Sequence, residues 1–424
     1  MAVDLSGINL QRELIDLKNA FPEIPKKNYL THGFDKYPAK MIPHMAKFLI
    51  KKTSKPKQTI LDPFCGSGSV VIQSVIEGRS AIGVDLNPLA VLLSQAKATP
   101  MNVELLRSQL HQLLIEFSSC KNPYEYSFFN ANYWFTPATL RKLGAIKTVL
   151  DNNIFCFNTE YSTFWRALFV SIIRECSKAD IRGPKPFISK RSQQHRIGKH
   201  FDPFKIFFAQ GQIWIKYEEE YLLKLKNRKI ISNYKILHAD SRNLSQILKN
   251  EKIDSIITSP PYLNAQDYYR SSKFQLFFLN EICDGEMKKL SRDIIGSDRI
   301  LQSHFNHNLK LPYPMSERYR LELLDINKKN SVIFSKYILD MKKVIHECNN
   351  LLESGSFFSI VIGDNKITNV EIPTHELINE ISETEGFHLF SIYSDKIRDR
   401  RLPIIRNGHS GIMKNENLLI FKKT

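Results

Sequence analysis

The chain has 424 residues, 42% of them hydrophobic and 24% charged, enough for one large domain with insertions or for two to three units of ~150 residues, and too long to need a disulfide staple. Its six cysteines, at positions 65, 120, 156, 176, 283 and 348, form no CxxC pair, which argues against a disulfide scaffold and a cysteine-rich zinc module and favours a reducing compartment. Sixty Lys and Arg against 43 Asp and Glu give +17, a surplus that suits a polyanionic partner, while the absence of an apolar run near the ~20 residues of a membrane helix, and of a signal-peptide pattern around Asp4, Glu13 and Asp16, predicts a soluble cytoplasmic protein.

In chain order, Leu10 to Ala20 is expected to be a short amphipathic helix, ended by Pro22 and Pro25, within an N-terminal helical segment 1–30. A second helix begins between Pro38 and Ile42 and runs through MIPHMAKFLI, followed by a Lys/Pro linker at 51–57. From residue 59 the pattern changes to a strand (TIL), a glycine turn (DPFCGSGS), an apolar helix closed by Gly78, and a second strand ending in an acid (SAIGVD). That order is half of a doubly wound α/β domain. Asn87-Pro88 opens another helix. Segments 101–118, 137–150, 162–178 and 213–227 then read as helices without intervening strands.

The α/β rhythm returns at YKILH (234–238), followed by Ala239-Asp240-Ser241, and at KIDSIITSPPY, a strand that Pro260 and Pro261 must end because neither can donate to a sheet. Residues 283–325 read as polar and irregular. A long helix is expected over 333–352, a strand in SGSFFSIVIGD, a helix over 373–383, and two last strands in FHLFSIYS and NLLIFKK. The simplest organisation is one α/β unit built from 31–100 and 233–424, interrupted by a large helical insertion at 101–232.

Two stretches carry chemistry. The loop Asp62-Pro63-Phe64-Cys65-Gly66-Ser67-Gly68 follows a strand, where close glycines allow a tight turn and near approach to a ligand. It is neither GxGxxG nor a Walker sequence, and Asp85 at the end of the next strand stands where an acid commonly takes both hydroxyls of an adenosine ribose, so a nucleoside cofactor is expected. Ser259-Pro260-Pro261-Tyr262 lies at a strand's carboxyl end, the ligand-facing edge of an open α/β sheet. A serine oxygen and the Pro260 carbonyl make a two-acceptor clamp suited to an amino group, with an aromatic ring beside it for a planar base.

In this order DPFCGSG, GVDLNPLA, HADS and TSPPY resemble the motifs of S-adenosyl-L-methionine-dependent amino-methyltransferases acting on DNA, and FDKYPAKMIP resembles that family's cofactor-flanking segment. The likeness spans roughly 31–100 and 234–424. It implies a Rossmann-like seven-stranded mixed-sheet methyltransferase fold, its last strand antiparallel, and S-adenosyl-L-methionine as cofactor. Asp62 and Phe64 to Gly68 would hold the methionine portion, Asp85 with Leu86 the ribose, and Asp240 would lie near the adenine amine. Tyr37, Pro38 and Lys40 would close over the cofactor, and Ser259 to Tyr262 would hold a base flipped out of double-stranded DNA. No metal is required. None of the six cysteines follows a proline, so the covalent device of cytosine-C5 enzymes is missing.

Serine at the first clamp position resembles cytosine-N4 enzymes, and aspartate or asparagine there adenine-N6 enzymes, so cytosine N4 is the expected target and adenine N6 the alternative. An RNA base-amine methyltransferase and a non-catalytic DNA-binding protein on the same fold are the other readings. Residues 181–200 hold six Lys or Arg and no acid, so Arg182, Lys185, Lys190, Arg191 and Arg196 are candidate phosphate contacts, with Arg270 beside the catalytic loop. The insertion is the expected target-recognition region, and the polar segment with His304, Asn306, His307 and Asn308 its rival. Enzymes of this kind often protect a genome from a partner nuclease, so a cognate restriction endonuclease is an expected partner, and no membrane.

Overall fold

The computed structural model describes residues 13–25, 29–35, 37, 40–128, 130–152, 159–180, 186–190, 201–231, 233–263, 268–279, 284–299, 309–396 and 415–424. Eight strands form one sheet in the order β1-β9-β10-β6-β5-β2-β3-β4. They are β1 (Glu13–Ile15), β2 (Thr59–Asp62), β3 (Ser80–Asp85), β4 (Tyr234–His238), β5 (Ser255–Thr258), β6 (Phe357–Ile362), β9 (Phe387–Lys396) and β10 (Asn415–Lys423). β10 pairs antiparallel with both β6 and β9, and the other neighbours pair parallel. A hairpin of β7 (Asn365–Ile367) and β8 (Val370–Ile372) turns through Thr368 and Asn369, both at positive φ, as a two-residue hairpin loop requires.

The central strands alternate faces with period two and are buried on both, as expected of parallel strands under helices. Leu61, Ile256, Ile360 and Leu419 pack with Phe334, Tyr337, Ile338 and Met341 of the Lys328–Leu351 helix. Their neighbours Ile60, Ile257, Val361 and Leu418 pack on the opposite face with Met45, Leu49 and Ile50 of the Pro43–Thr53 helix. A third, all-helical core joins Val103–Ser119, Pro137–Asn152, Thr159–Cys176 and Pro203–Asn227 through Phe117, Trp165, Phe207 and Trp214. Leu89, Leu93 and Ala96 of the Pro88–Ala98 helix enter that core, and so do Phe274 and Phe278 from the Tyr268–Leu279 helix far downstream. The helical layer is thus continuous with the helices that border the sheet.

Three expectations change. The sheet has an eighth strand, because Glu13–Ile15 is extended along β9 rather than helical, and the helix there is only Leu17–Ala20. So short a helical run gains little from its own hydrogen bonds, and the exposed edge of β9 offers ladder bonds instead. The segment read as irregular contains the Asp284–Asp293 and Pro314–Ile326 helices, the second with Pro314 in its first turn. The last helix of the insertion starts at Pro203, ten residues earlier than its apolar pattern suggested, with Asp202 capping it. Among the described residues, no helix is long and apolar enough to cross a membrane, and no group of His, Cys, Asp and Glu could hold a metal ion.

Candidate active site

The glycine loop is built by its neighbours as much as by its own sequence. β2 ends at Asp62; Cys65 N donates to Val84 O at 3.0 Å and Gly68 N to Cys65 O at 2.8 Å. Gly68 has φ 84 and starts the Ser69–Ile76 helix, and a Cβ there would stand 2.4 Å from Ser94 Oγ. Glycine is required for the turn and for the close passage beneath the Pro88–Ala98 helix. Gly66 N donates to Asp85 Oδ2 at 2.9 Å and Asn87 N to Asp85 Oδ1 at 2.8 Å, so the acid at the end of β3 ties down the loop it faces. Each Asp85 oxygen keeps an acceptor position for a ligand hydroxyl.

Burial pushes the Asp85 carboxyl up to about 6, against the bonds from the Asn87 and Gly66 amides. It pushes Asp62 up to about 7, against Thr258 Oγ1 at 2.7 Å and Phe64 N at 3.1 Å and with help from the Asp85 charge. Burial, then Asp85 and Asp62, push the Cys65 thiol well up, which suits a packing group rather than a nucleophile.

A cleft opens at this edge of the sheet. Asp62, Phe64, Cys65, Gly66, Asp85 and Leu86 line it from the cofactor side, Tyr37 and Lys40 from the segment before β2, and Asp240 from the end of β4. Ser259 and Pro261 line the same cleft. The Ser259 hydroxyl makes no hydrogen bond among the described residues, so its acceptor capacity is open.

Other predicted residues stand behind the wall. Pro63 O accepts from Ser241 Oγ, and Ser67 O from Lys97 Nζ at 3.0 Å. Pro260 is buried, and the Tyr262 hydroxyl donates to Glu416 Oε1 at 3.0 Å, toward β10. Asp240 both lines the cleft and caps the turn after β4, accepting Arg242 N at 3.0 Å. Burial raises its carboxyl, but the bonds and charge of Arg242 hold it below the usual range.

Pro38, Arg182, Lys185, Arg191 and Arg196 lie outside the described residues, as do His304, Asn306, His307 and Asn308. Lys190 is exposed. Arg270 sits in the first turn of the Tyr268–Leu279 helix, its side chain outside what the structure describes.

Sequence reasoning missed part of the wall. Asn87 lines the cleft, and its side chain donates to Tyr37 OH at 3.0 Å; its place before Pro88 was a signal for a cap, and here it caps with Oδ1 and bridges with Nδ2. Asp293, Ile294 and Ile295 line the opposite side, from the stretch read as irregular. Arg242 joins that wall to Asp240, donating to both Asp240 oxygens, to Asp340 Oδ1 at 3.2 Å and to Asp293 O at 3.0 Å.

A mixed sheet with its last strand reversed, a glycine loop between two acids and a cleft at the strand ends define an S-adenosyl-L-methionine-dependent methyltransferase, with S-adenosyl-L-methionine as its cofactor. Residues 9–96 match the N6/N4 methyltransferase family model described as DNA methylase. The chain is similar to the Type II methyltransferase M.MvaI of Kocuria varians, at 25% identity over 93% of this chain and 91% of that one. It is also similar to the Type II methyltransferase M.BsoBI of Geobacillus stearothermophilus, at 23% identity over 88% and 81%. Among solved structures, the rRNA methyltransferase aviRa from Streptomyces viridochromogenes aligns with 91% of this chain and 88% of its own at 10% identity and a TM-score of 0.32.

The residues present fit that cofactor. Its cationic methionine end suits the Asp62 carboxyl, and its ribose hydroxyls suit the acceptor positions left on Asp85.

Proposed function

We propose that the protein is a site-specific DNA methyltransferase that transfers a methyl group from S-adenosyl-L-methionine to the exocyclic N4 amine of cytosine in duplex DNA. The observation that carries the reading is the shared cleft: Asp62 and Asp85, which suit the cofactor, and Ser259 and Pro261, which suit a base, line one cavity. When bound, S-adenosyl-L-methionine would supply an electrophilic methyl group on a sulfonium, the sulfur keeping the electron pair as a neutral thioether. Asp62 and the Phe64–Gly68 loop hold its methionine end, Asp85 its ribose, and Asp240 stands by its adenine, with Tyr37, Pro38 and Lys40 as cover.

An exocyclic base amine is a weak nucleophile because its lone pair is delocalised into the ring. Ser259 Oγ, which lines the cleft, accepts one of its hydrogens and lets the nitrogen become tetrahedral as it bonds to the methyl carbon and the carbon–sulfur bond breaks; Pro260, buried behind it, stiffens the loop, so catalysis rests on a placed acceptor and alignment. The amine grows more acidic as it is alkylated, and its proton passes to water. A paired base cannot enter such a cleft, so the cytosine is flipped out, with Pro261 flanking it and Tyr262 anchoring the loop from behind. The +17 charge supports duplex binding, with Arg182, Lys185, Lys190, Arg191, Arg196 and Arg270 on phosphates and the 101–232 insertion reading sequence. The likeness to two Type II methyltransferases supports a role as the modification enzyme of a restriction-modification pair, with a cognate endonuclease acting on the same site.

The test is to incubate the purified protein with S-adenosyl-L-methionine and mixed-sequence duplex DNA, digest to nucleosides and identify the product by mass spectrometry. N4-methylcytosine is expected, and Ser259→Ala should lower turnover by about a hundredfold with cofactor affinity unchanged. N6-methyladenine would replace the target base. Product from structured RNA and none from DNA would replace the substrate. Bound cofactor without product on either, across many duplex sequences, would favour the non-catalytic reading.

A further inference from the structure

Lys97 is 1% exposed, in the last turn of the Pro88–Ala98 helix, and no part of the proposed transfer uses it. Its ammonium does two things at once. It donates to Ser67 O in the glycine loop at 3.0 Å and pairs with the buried carboxylate of Asp35 through Oδ2. The other Asp35 oxygen, Oδ1, accepts Tyr37 N at 2.7 Å. Tyr37 lies over the loop, its ring edge 3.5 Å from where a Cβ on Gly66 would stand, and its hydroxyl accepts Asn87 Nδ2 at 3.0 Å. Asn87 N is bound to Asp85 Oδ1, and Asp85 Oδ2 holds Gly66 N, one residue from Ser67. Lys40 Nζ braces the same segment, donating to His32 O at 2.8 Å and Asp35 O at 3.0 Å.

These bonds close a ring around one side of the cleft: Ser67, Lys97, Asp35, Tyr37, Asn87, Asp85, Gly66. A lysine and an aspartate are costly to bury and are kept as a pair only where both charges find partners. Here the partners are the cofactor loop on one side and the segment that covers it on the other. We infer that the Lys97–Asp35 pair is a buried clasp that sets Tyr37 against the glycine loop, and that both are positioning residues for S-adenosyl-L-methionine. The inference rests on the proposed cofactor role of this side of the cleft. A preset cover spares the cofactor the cost of ordering it on binding, so loss of the clasp should appear in cofactor affinity rather than in the handling of DNA.

The experiment measures the dissociation constant of S-adenosyl-L-methionine by titration calorimetry on the full chain, together with the melting temperature and the KM for duplex DNA. Lys97→Met leaves Asp35 with only the looser Lys40 pair at 3.6 Å and threatens folding, so the deciding variant is the charge-neutral Lys97→Met/Asp35→Asn. Cofactor affinity should fall about tenfold with the DNA KM unchanged, and the loss should shrink in a Tyr37→Ala background, because the clasp acts through Tyr37. A folded double variant with wild-type affinity, or a loss that simply adds to that of Tyr37→Ala, overturns the clasp.

Should the double variant not fold, hydrogen exchange on the wild-type chain decides. The cofactor should protect amides of 29–37 together with those of 64–68, and protection of the loop without the cover rejects the inference. Asp85→Ala separates the two claims. If it leaves affinity intact, the cofactor assignment itself fails; if it abolishes binding while the double variant does not weaken it, the clasp fails and the assignment stands.

Discussion

The two sides of the cleft are organised differently. The cofactor side comes mostly from one stretch, residues 62 to 97, and nearly every polar group on it is bonded to another: Asp85 to two amides, Asn87 to Tyr37, Lys97 to Ser67 and Asp35. The base side is assembled from Ser259–Tyr262, Asp293–Gly296 and Glu416, and its key hydroxyl, Ser259, makes no bond among the described residues. The difference follows from the ligands. A cofactor that is the same in every turnover rewards a preset cradle, whereas a base that swings in and leaves needs acceptors kept open.

If the base side depends on distant pieces packing together, Gly296 is where it breaks most readily. Gly296 has φ 79, and a Cβ there would stand 2.6 Å from Tyr262 O and 3.8 Å from Pro261 Cβ, so the backbone of one wall rests on that of the other. Gly296→Ala adds left-handed strain and a clash with a backbone oxygen, neither of which a side chain can relieve, at a cost of about 2 kcal/mol or more in stability. Turnover should drop at least tenfold while the cofactor dissociation constant moves less than twofold. Equal losses in both, read by calorimetry beside steady-state kinetics, would mean that the two sides are one mechanical unit.

The cofactor side carries its own signature in pH. Asp62 is raised to about 7 and Asp85 to about 6, chiefly by burial. For acids raised on folding, the native state binds more protons between pH ~4 and ~7, so these two contribute stability that is full below pH ~4 and lost as pH rises through 6 to 7. A cationic ligand reverses the balance by favouring the ionised forms. Affinity for S-adenosyl-L-methionine should therefore rise between pH 5.5 and 7.5, by as much as about tenfold per unit below 7, with protons released on binding. Calorimetry at one pH in two buffers of different ionisation enthalpy reads that release. Proton uptake, or affinity flat across this range, would remove Asp62 as the group that meets the cationic end and Asp85 as an ionised acceptor for the ribose hydroxyls.

The same contrast governs what could be read from the chain. The cofactor side was legible because its signals are local: a strand, a glycine loop, a helix and an acid within 27 residues, each a rule of short-range backbone geometry. Ser259 and Pro261 were legible too, since two prolines end a strand wherever it is. Asp293–Ile295 was not, because the Asp284–Asp293 helix is polar and the close approach that follows it, Gly296 against the Tyr262 carbonyl, joins residues more than thirty positions apart. Nothing in the sequence around Lys97 marks Asp35 as its partner. The extra edge strand was hidden for the same reason, since Glu13–Ile15 is extended by virtue of β9, not of its own composition.

The smallest effect tests how far the base side is held in place at all. Glu416 lies on β10, and its half-buried carboxylate accepts the Tyr262 hydroxyl; loss of solvent raises it, the Tyr262 bond lowers it and Asp395 raises it further. Tyr262 does not line the cleft, so any hold it has on the base passes through the Pro261–Tyr262 backbone that this bond anchors. Glu416→Gln keeps an oxygen acceptor at the same reach and should leave kinetics near wild type. Glu416→Leu removes that acceptor, a loss of about 1 kcal/mol, or roughly fivefold. That loss should fall on the KM for duplex DNA, with the cofactor dissociation constant unchanged. If Leu and Gln behave alike, the anchor is packing rather than a hydrogen bond. If the cofactor constant moves instead, β10 supports the cradle, and the division between a bonded cofactor side and an open base side is drawn in the wrong place.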